Sequence, residues 1–155
     1  MIQDIINAYK DDPELQNTLE IQELIQKNEH ISYLQNKTLD SFTKEILDLL
    51  KEEFDNSEFI KTALYKLKEY RYVENISDMF KGKHVRWIRL ETTPRLTNGG
   101  VVVDIRFGKK GMQILVKSNT NKFMQIGFDD CLFFQKLNED ELMILALQEF
   151  ALSSS

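Results

Sequence analysis

Residues able to do chemistry are few in this chain, and they are scattered. Its soft-ligand inventory is two histidines, His30 and His84, and one cysteine, Cys131, with no CxxC, HxxxH or acidic calcium loop to gather them. A bound metal needs several ligands at short, fixed spacing, so the pattern calls for no metal and no cofactor. Asp129-Asp130 is a carboxylate pair, but neighbours in a turn point apart, and a turn accounts for them better than acid-base work does. Asn98-Gly99-Gly100 lacks the further glycine and the Lys-Ser/Thr of a phosphate loop and leads into a strand, which makes it a hairpin turn or strand-start bend. No Ser/His/Asp set stands in a motif context, and the expectation is a protein without catalytic activity.

Cations interleaved with aromatics carry more chemical information. Lys81, Lys83, Arg86, Arg89, Arg95, Arg106, Lys109, Lys110, Lys117 and Lys122 stand among Trp87, Phe107, Phe123 and Phe128. Such a mixture can clamp phosphates and stack bases, and an aromatic groove around Trp87 can equally accept a peptide. The residues singled out for binding are Trp87, Arg86, Arg89, Phe107, Lys109, Lys110 and Phe123. A plainer reading competes with both. The cations would face acidic helices of the same chain or solvate outward strand positions, and the aromatics would fill the core.

Charge is segregated along the chain. Residues 1–80 hold 9 Lys/Arg against 17 Asp/Glu, residues 81–138 hold 11 against 4, and residues 139–155 hold none against 4, within an overall net charge of −5. An acidic flank repels nucleic acid unless it stands clear of the binding face, whereas an acidic protein partner suits the basic segment. At 155 residues, with 42% hydrophobic and 29% charged content, the chain should fold as one compact domain or two small ones. Its longest apolar runs fall far short of the roughly 20 residues needed to span a bilayer. Met1-Ile2-Gln3-Asp4 lacks the basic start of a secretory signal, and a lone Cys131 in an apolar run suits a reducing compartment, so a cytoplasmic setting is expected.

The hydrophobic period changes where the charge does. Ile2, Ile5, Ile6 and Tyr9 make a short helical stripe, and Asp12 and Pro13 open a helix that ends near Asn28. His30 to Leu39 is read as a connector. A further helix, capped by Asp40 or Ser41, carries Phe42, Ile46, Leu49, Leu50 and Phe54, and after Asp55-Asn56-Ser57 the same stripe continues through Phe59, Ala63, Leu67 and Tyr70 toward Phe80. Strands follow at His84–Leu90, Gly100–Phe107, Met112–Lys117, Lys122–Gly127 and Leu132–Lys136, joined by turns rich in Gly, Asn, Lys and Asp. On the second, Val101, Val103, Ile105 and Phe107 alternate with Val102, Asp104 and Arg106, so one face is expected in the core. Five such strands can bury that face by curling over. Asn138 then caps a helix through Leu142, Leu145 and Phe150.

Within the strand region, Gly82-Lys83-His84-Val85-Arg86-Trp87-Ile88, the run from Leu96 to Ile105 with Gly99-Gly100, Ile114-Leu115-Val116 and Leu132-Phe133-Phe134-Gln135-Lys136 form a recurring pattern. It resembles that of uncharacterised SH3-like barrel proteins of large DNA viruses, in which the barrel opens with G-x-x-V-R-[YW]-I, passes a glycine pair and closes with F-F-[RQ]-K. The resemblance spans roughly residues 82–137, about a third of the chain, and its motifs are mostly fold-determining. At the fourth strand, where the pattern commonly carries an aromatic, this chain has Phe123 and Met124, and residues 1–80 have no counterpart in it. What it implies is a barrel and a viral origin, with no activity.

The expectation is thus an α+β protein: an acidic helical region over 1–80, a basic five-stranded antiparallel SH3-like barrel over 81–138, and a C-terminal helix and tail over 139–155. Two functions fit it. The first is a protein-interaction or virion-assembly module in the host cytoplasm or virion. The second is a nucleic-acid-binding accessory factor using the basic barrel face. Neither involves a membrane, and oligomeric state is left open.

Overall fold

The computed structural model describes residues 29–154; the stripe expected over 2–9 and the helix expected over 13–28 lie outside the described residues. Two compact units are present, one drawing on residues up to Phe42 and from Leu137 onward, the other on Thr43–Lys136.

In the first unit a 3-10 turn, Glu29–Leu34, occupies part of the expected connector. The helix after it, α1 (Leu39–Glu53), starts earlier than expected. Thr38, rather than Asp40 or Ser41, is its cap: Ser41 N–H donates to Thr38 Oγ1 at 3.1 Å, and Thr38 N–H donates to Ser41 Oγ at 2.8 Å. The C-terminal helix, called α3 here (Glu139–Ser154), opens on a reciprocal box, as Asn138 foretold. Glu141 N–H donates to Asn138 Oδ1 at 2.8 Å and Asn138 N–H to Glu141 Oε1 at 3.0 Å, satisfying two helix-end donors at once. Leu34, Phe42, Leu137, Ile144, Leu145 and Ala151 form the apolar centre of this unit. Gln148 is buried among them because the turn needs it. Its Nε2 donates to the Leu34 and Lys37 carbonyls at 2.8 and 3.0 Å, and its Oε1 accepts from Asn36 N–H at 3.0 Å.

The second unit holds the rest of α1, the helix α2 (Ser57–Lys66) and six strands: β1 (Tyr70–Tyr72), β2 (His84–Arg89), β3 (Gly100–Gly108), β4 (Gly111–Lys117), β5 (Phe123–Gly127) and β6 (Cys131–Lys136). Asn56 caps α2, its Oδ1 accepting from Phe59 N–H at 3.1 Å. The helix does not continue toward Phe80. Glu69 takes a left-handed φ of 65° and turns the chain into β1, which pairs antiparallel with β6 through Tyr70 and Lys136, Arg71 and Gln135, and Tyr72 and Phe134. The spacing of Leu67, Tyr70, Val73 and Ile76 is compatible with a helix, but pairing to β6 outweighs it. The sheet therefore has six strands rather than five. It is open and antiparallel, in the order β1-β6-β2-β3-β4-β5.

Its two faces are buried differently. One face collects Val85, Trp87, Val102, Ile114, Val116, Ile126, Cys131 and Phe133. On the other, Ile88, Leu132, Phe134 and Tyr70 pack under Ile46, Leu50 and Phe54 of the α1 segment, Ala63 of α2, and Leu67. β6 is central to both clusters, which explains the unbroken apolar run Cys131-Leu132-Phe133-Phe134: a strand covered on both faces needs no polar alternation. Full burial of Phe133 and Phe134 stabilises the fold by about 2 to 3 kcal/mol each. In contrast, β3, β4 and β5 give only one face to the core.

Candidate functional site

Reactive side chains of the second unit are held in protonation states that suit structure. Cys131 is buried on β6, and burial pushes its thiol up to about 11, because a thiolate there would lose its hydration. His84 sits half-buried on β2 with Nδ1 3.1 Å from the Tyr70 hydroxyl. Burial holds its pKa below the usual 6.5, the charges of Arg86 and Lys136 add to the effect, and a hydrogen bond with the Asn98 backbone opposes it. Among the described residues no group of three or more His, Cys, Asp or Glu converges as a metal site would require. Asp129 and Asp130 lie in the 3-10 turn Phe128–Asp130 between β5 and β6. Gly99, at φ 76°, lets the loop press on β2: a side-chain Cβ there would lie 1.8 Å from the Val85 carbonyl oxygen.

The residues expected to bind do not form one patch. Trp87 stands opposite Phe133 in the register, on the inward face of β2, with the rings 5.9 Å apart. Only 2% exposed, it is a core side chain and lines no surface groove. Alternation along β2 decides this, since its neighbours in the inner cluster are Val85 and Val102. Arg86 points to the opposite face, its guanidinium 5.9 Å from the Tyr70 ring centroid and its Nε buried without a hydrogen-bond partner. Arg89 ends β2, exposed, opposite Cys131.

The remaining four stand at the two hairpins of β3, β4 and β5. Phe107 is 82% exposed next to the β3–β4 turn that carries Lys109 and Lys110. Phe123 begins β5, 60% exposed, with Lys117 Nζ 6.0 Å from its ring centroid. Gly108, Lys109, Lys110, Gln113 and Gln125 line a depression of about 290 Å³ beside the first turn. A second cavity, about 350 Å³, opens between α2 and the β2–β3 loop, with Lys66 and Arg95 in its wall and no carboxylate. The sequence reading missed it, although Phe59, Thr62, Ala63 and Lys66 share one helical face by their spacing.

Charges within the sheet are distributed unevenly. Asp104 takes both Lys81 and Arg106 at 3.0 Å, and these hydrogen bonds, Arg106 first, hold its carboxyl down at about 2. Among the described residues Arg89, Arg95, Lys109, Lys110, Lys117 and Lys122 form no ion pair. Among the described residues, ion pairing to acidic helices does not account for these six.

No protein family, curated protein or solved structure matches this chain. No helix among the described residues is long and apolar enough to cross a membrane.

Proposed function

We propose that the chain is a non-catalytic protein-interaction module whose β3–β4–β5 hairpins take an acidic partner. The observation that carries this reading is the set of cations without ion pairs, Lys109, Lys110, Lys117 and Lys122, flanking the exposed Phe107 and Phe123. Large aromatics exposed beside lysines that no carboxylate of the described chain satisfies are what an interface leaves behind when its partner is absent.

Within this reading the sheet is a partly closed SH3-like barrel. Ile126 of β5 and Phe133 of β6 share one apolar cluster although three strands lie between them in the sheet order. In a flat sheet β5 and β6 would be about 19 Å apart at the usual strand spacing, whereas the chain from Gly127 to Cys131 reaches about 14 Å at most, which supports a sheet that curls over its inner face. Phe128, stacked on Phe133 at 5.7 Å, supports the same curvature.

A second reading, nucleic-acid binding, rests on the same cations and aromatics. It is weaker because the aromatics do not make one platform. Phe107 pairs with Met112 and Phe123 with Lys117, positions of opposite parity on β4 and about 17 Å apart along it. Successive bases need neighbouring rings on one side.

The two readings separate in a fluorescence-anisotropy titration of labelled glutamate-rich peptides and of single- and double-stranded oligonucleotides, at low and physiological salt. The proposal expects peptide binding that the double charge reversal Lys109→Glu with Lys110→Glu abolishes. Oligonucleotide binding that persists at physiological salt and falls with a slope of about 0.9 per phosphate contact would replace it with the nucleic-acid reading.

A further inference from the structure

Among the described residues β5 ends the sheet, with no strand on its outer edge. Ser118 N–H donates to the Lys122 carbonyl at 2.8 Å, which makes Ser118 and Lys122 a hydrogen-bonded pair. In an antiparallel ladder bonded and non-bonded pairs alternate, so Val116 with Met124 and Ile114 with Ile126 bond across β4 and β5. Phe123 and Gln125 then direct their N–H and C=O groups away from β4, where no strand of the described residues receives them.

Edges of this kind are normally blunted by proline, charge, a bulge or short length. The strand Phe123-Met124-Gln125-Ile126-Gly127 has neither proline nor charge, and its register with β4 runs without a shift. The opposite edge, β1, is only three residues long with two of them buried. β5 is the edge left ready to pair.

We infer that β5 is a docking edge at which an extended acidic segment of a protein partner adds as a further strand. The inference rests on the acidic-partner reading above and specifies how that partner is held. The occupant is chosen by what borders the edge. On one side of the sheet, partly buried Met124 lies at the rim of the apolar cluster, beside the buried Ile126, and asks for apolar side chains. On the other, Gln125 opens into the depression lined by Lys109, Lys110 and Gln113, with Lys117 over Phe123 nearby, and these ask for carboxylates. Because successive strand residues face opposite ways, the docked segment alternates apolar and acidic residues. A second copy of this chain fits poorly. Pairing β5 with itself brings to this edge a strand, Phe123-Met124-Gln125-Ile126-Gly127, that holds no carboxylate to answer Lys109, Lys110 or Lys117.

The test uses a short capped peptide alternating valine with glutamate and a control of the same composition with its glutamates in one block. Binding is followed by anisotropy to the full chain and to Gln125→Pro and Gln125→Ala. Proline at 125 removes an N–H that β4 does not use, so the fold should survive, as a thermal melt verifies. The inference expects the alternating peptide to bind more tightly than the block control. It also expects Gln125→Pro to lower affinity about tenfold or more while Gln125→Ala costs much less, the difference a lost backbone hydrogen bond makes. Amide exchange at Phe123 and Gln125 should slow when peptide is present. If both peptides bind alike and a folded Gln125→Pro binds as the wild type does, the edge inference falls and the acidic-partner reading stands. If neither peptide binds, both fall. Dimerisation by β5, seen as a doubled mass lost in Gln125→Pro, would overturn the partner assignment.

Discussion

Gln135 on β6 accepts a hydrogen bond from the buried guanidinium of Arg71 on β1, Nη2 to Oε1 at 3.0 Å, directly across the strand pair. The same amide serves Phe80 twice, accepting from its N–H at 3.1 Å and donating to its carbonyl at 2.8 Å. Arg71 also donates to the Asp78 carbonyl, so one glutamine and one arginine tie the chain from residue 71 to residue 80 onto the sheet. Gln135→Leu keeps the volume and removes these acceptors and donors. We predict a loss on the order of 3 kcal/mol in chemical denaturation, because buried polar groups are left without this partner.

Trp87 lends itself to a paired test. Its indole N–H has no hydrogen-bond partner, so Trp87→Phe sacrifices packing alone. That variant should fold and lose on the order of 2 kcal/mol, whereas Trp87→Ala opens a cavity and should lose about 3 to 5 kcal/mol. As the single tryptophan, Trp87 should emit at short wavelength in the folded protein and shift to the red on denaturation. Red-shifted emission from the native protein would place the ring in solvent and contradict the core assignment.

Two glycines with left-handed backbones should respond differently to alanine. At Gly111, φ 94°, nothing lies within 4 Å of an added Cβ, and the cost is the backbone strain of about 1 to 2 kcal/mol. At Gly99, φ 76°, the added carbon meets the Val85 carbonyl, and β2 or the loop must move. Thermal melts should show a small shift for Gly111→Ala and a loss on the order of 4 kcal/mol or failure to fold for Gly99→Ala.

Stability should fall with acid in two steps. His84 is held below its ordinary 6.5 in the folded chain, so below 6.5 the unfolded chain binds the proton more readily; stability is fully present above that pH and declines beneath it. Asp104 is held at about 2 against an ordinary 3.8, so its contribution is present above about 3.8 and lost as pH falls to about 2. Denaturation midpoints measured across pH, repeated with His84→Gln and Asp104→Asn, should show the first and second step flattened in turn. An imidazole resonance of His84 that titrates above 6.5 would reverse the sign of the first.

Much of this fold is legible in residue order. Strands β2 to β6 emerge within a residue or two, since Gly, Asn and Lys-rich turns interrupt short apolar runs, and the Asn138 box announces α3. β1 does not emerge: Tyr70-Arg71-Tyr72 continues a helical spacing and becomes a strand because β6, over sixty residues later, offers it a ladder. The binding surface divides in the same way. Lys109 and Lys110 are recognisable as turn residues, but the β3 face expected in the core is not the one buried at its start: Val102 is buried while Val101, Val103 and the strand-end Phe107 are exposed, with a register shift between Val102 and Asp104. Trp87 and Arg86, adjacent in sequence, are sent to opposite faces by strand alternation, and which face is core depends on what packs there.

Local pattern, then, settled the order and kind of most elements and the segregation of charge, because turn chemistry, capping and hydrophobic period act over a few residues. Pairing across long separations settled the rest: a sixth strand, an open β5 edge, a buried tryptophan and lysines without ion pairs. Those outcomes depend on which distant groups meet and exclude water together, and no short stretch of residues encodes them alone.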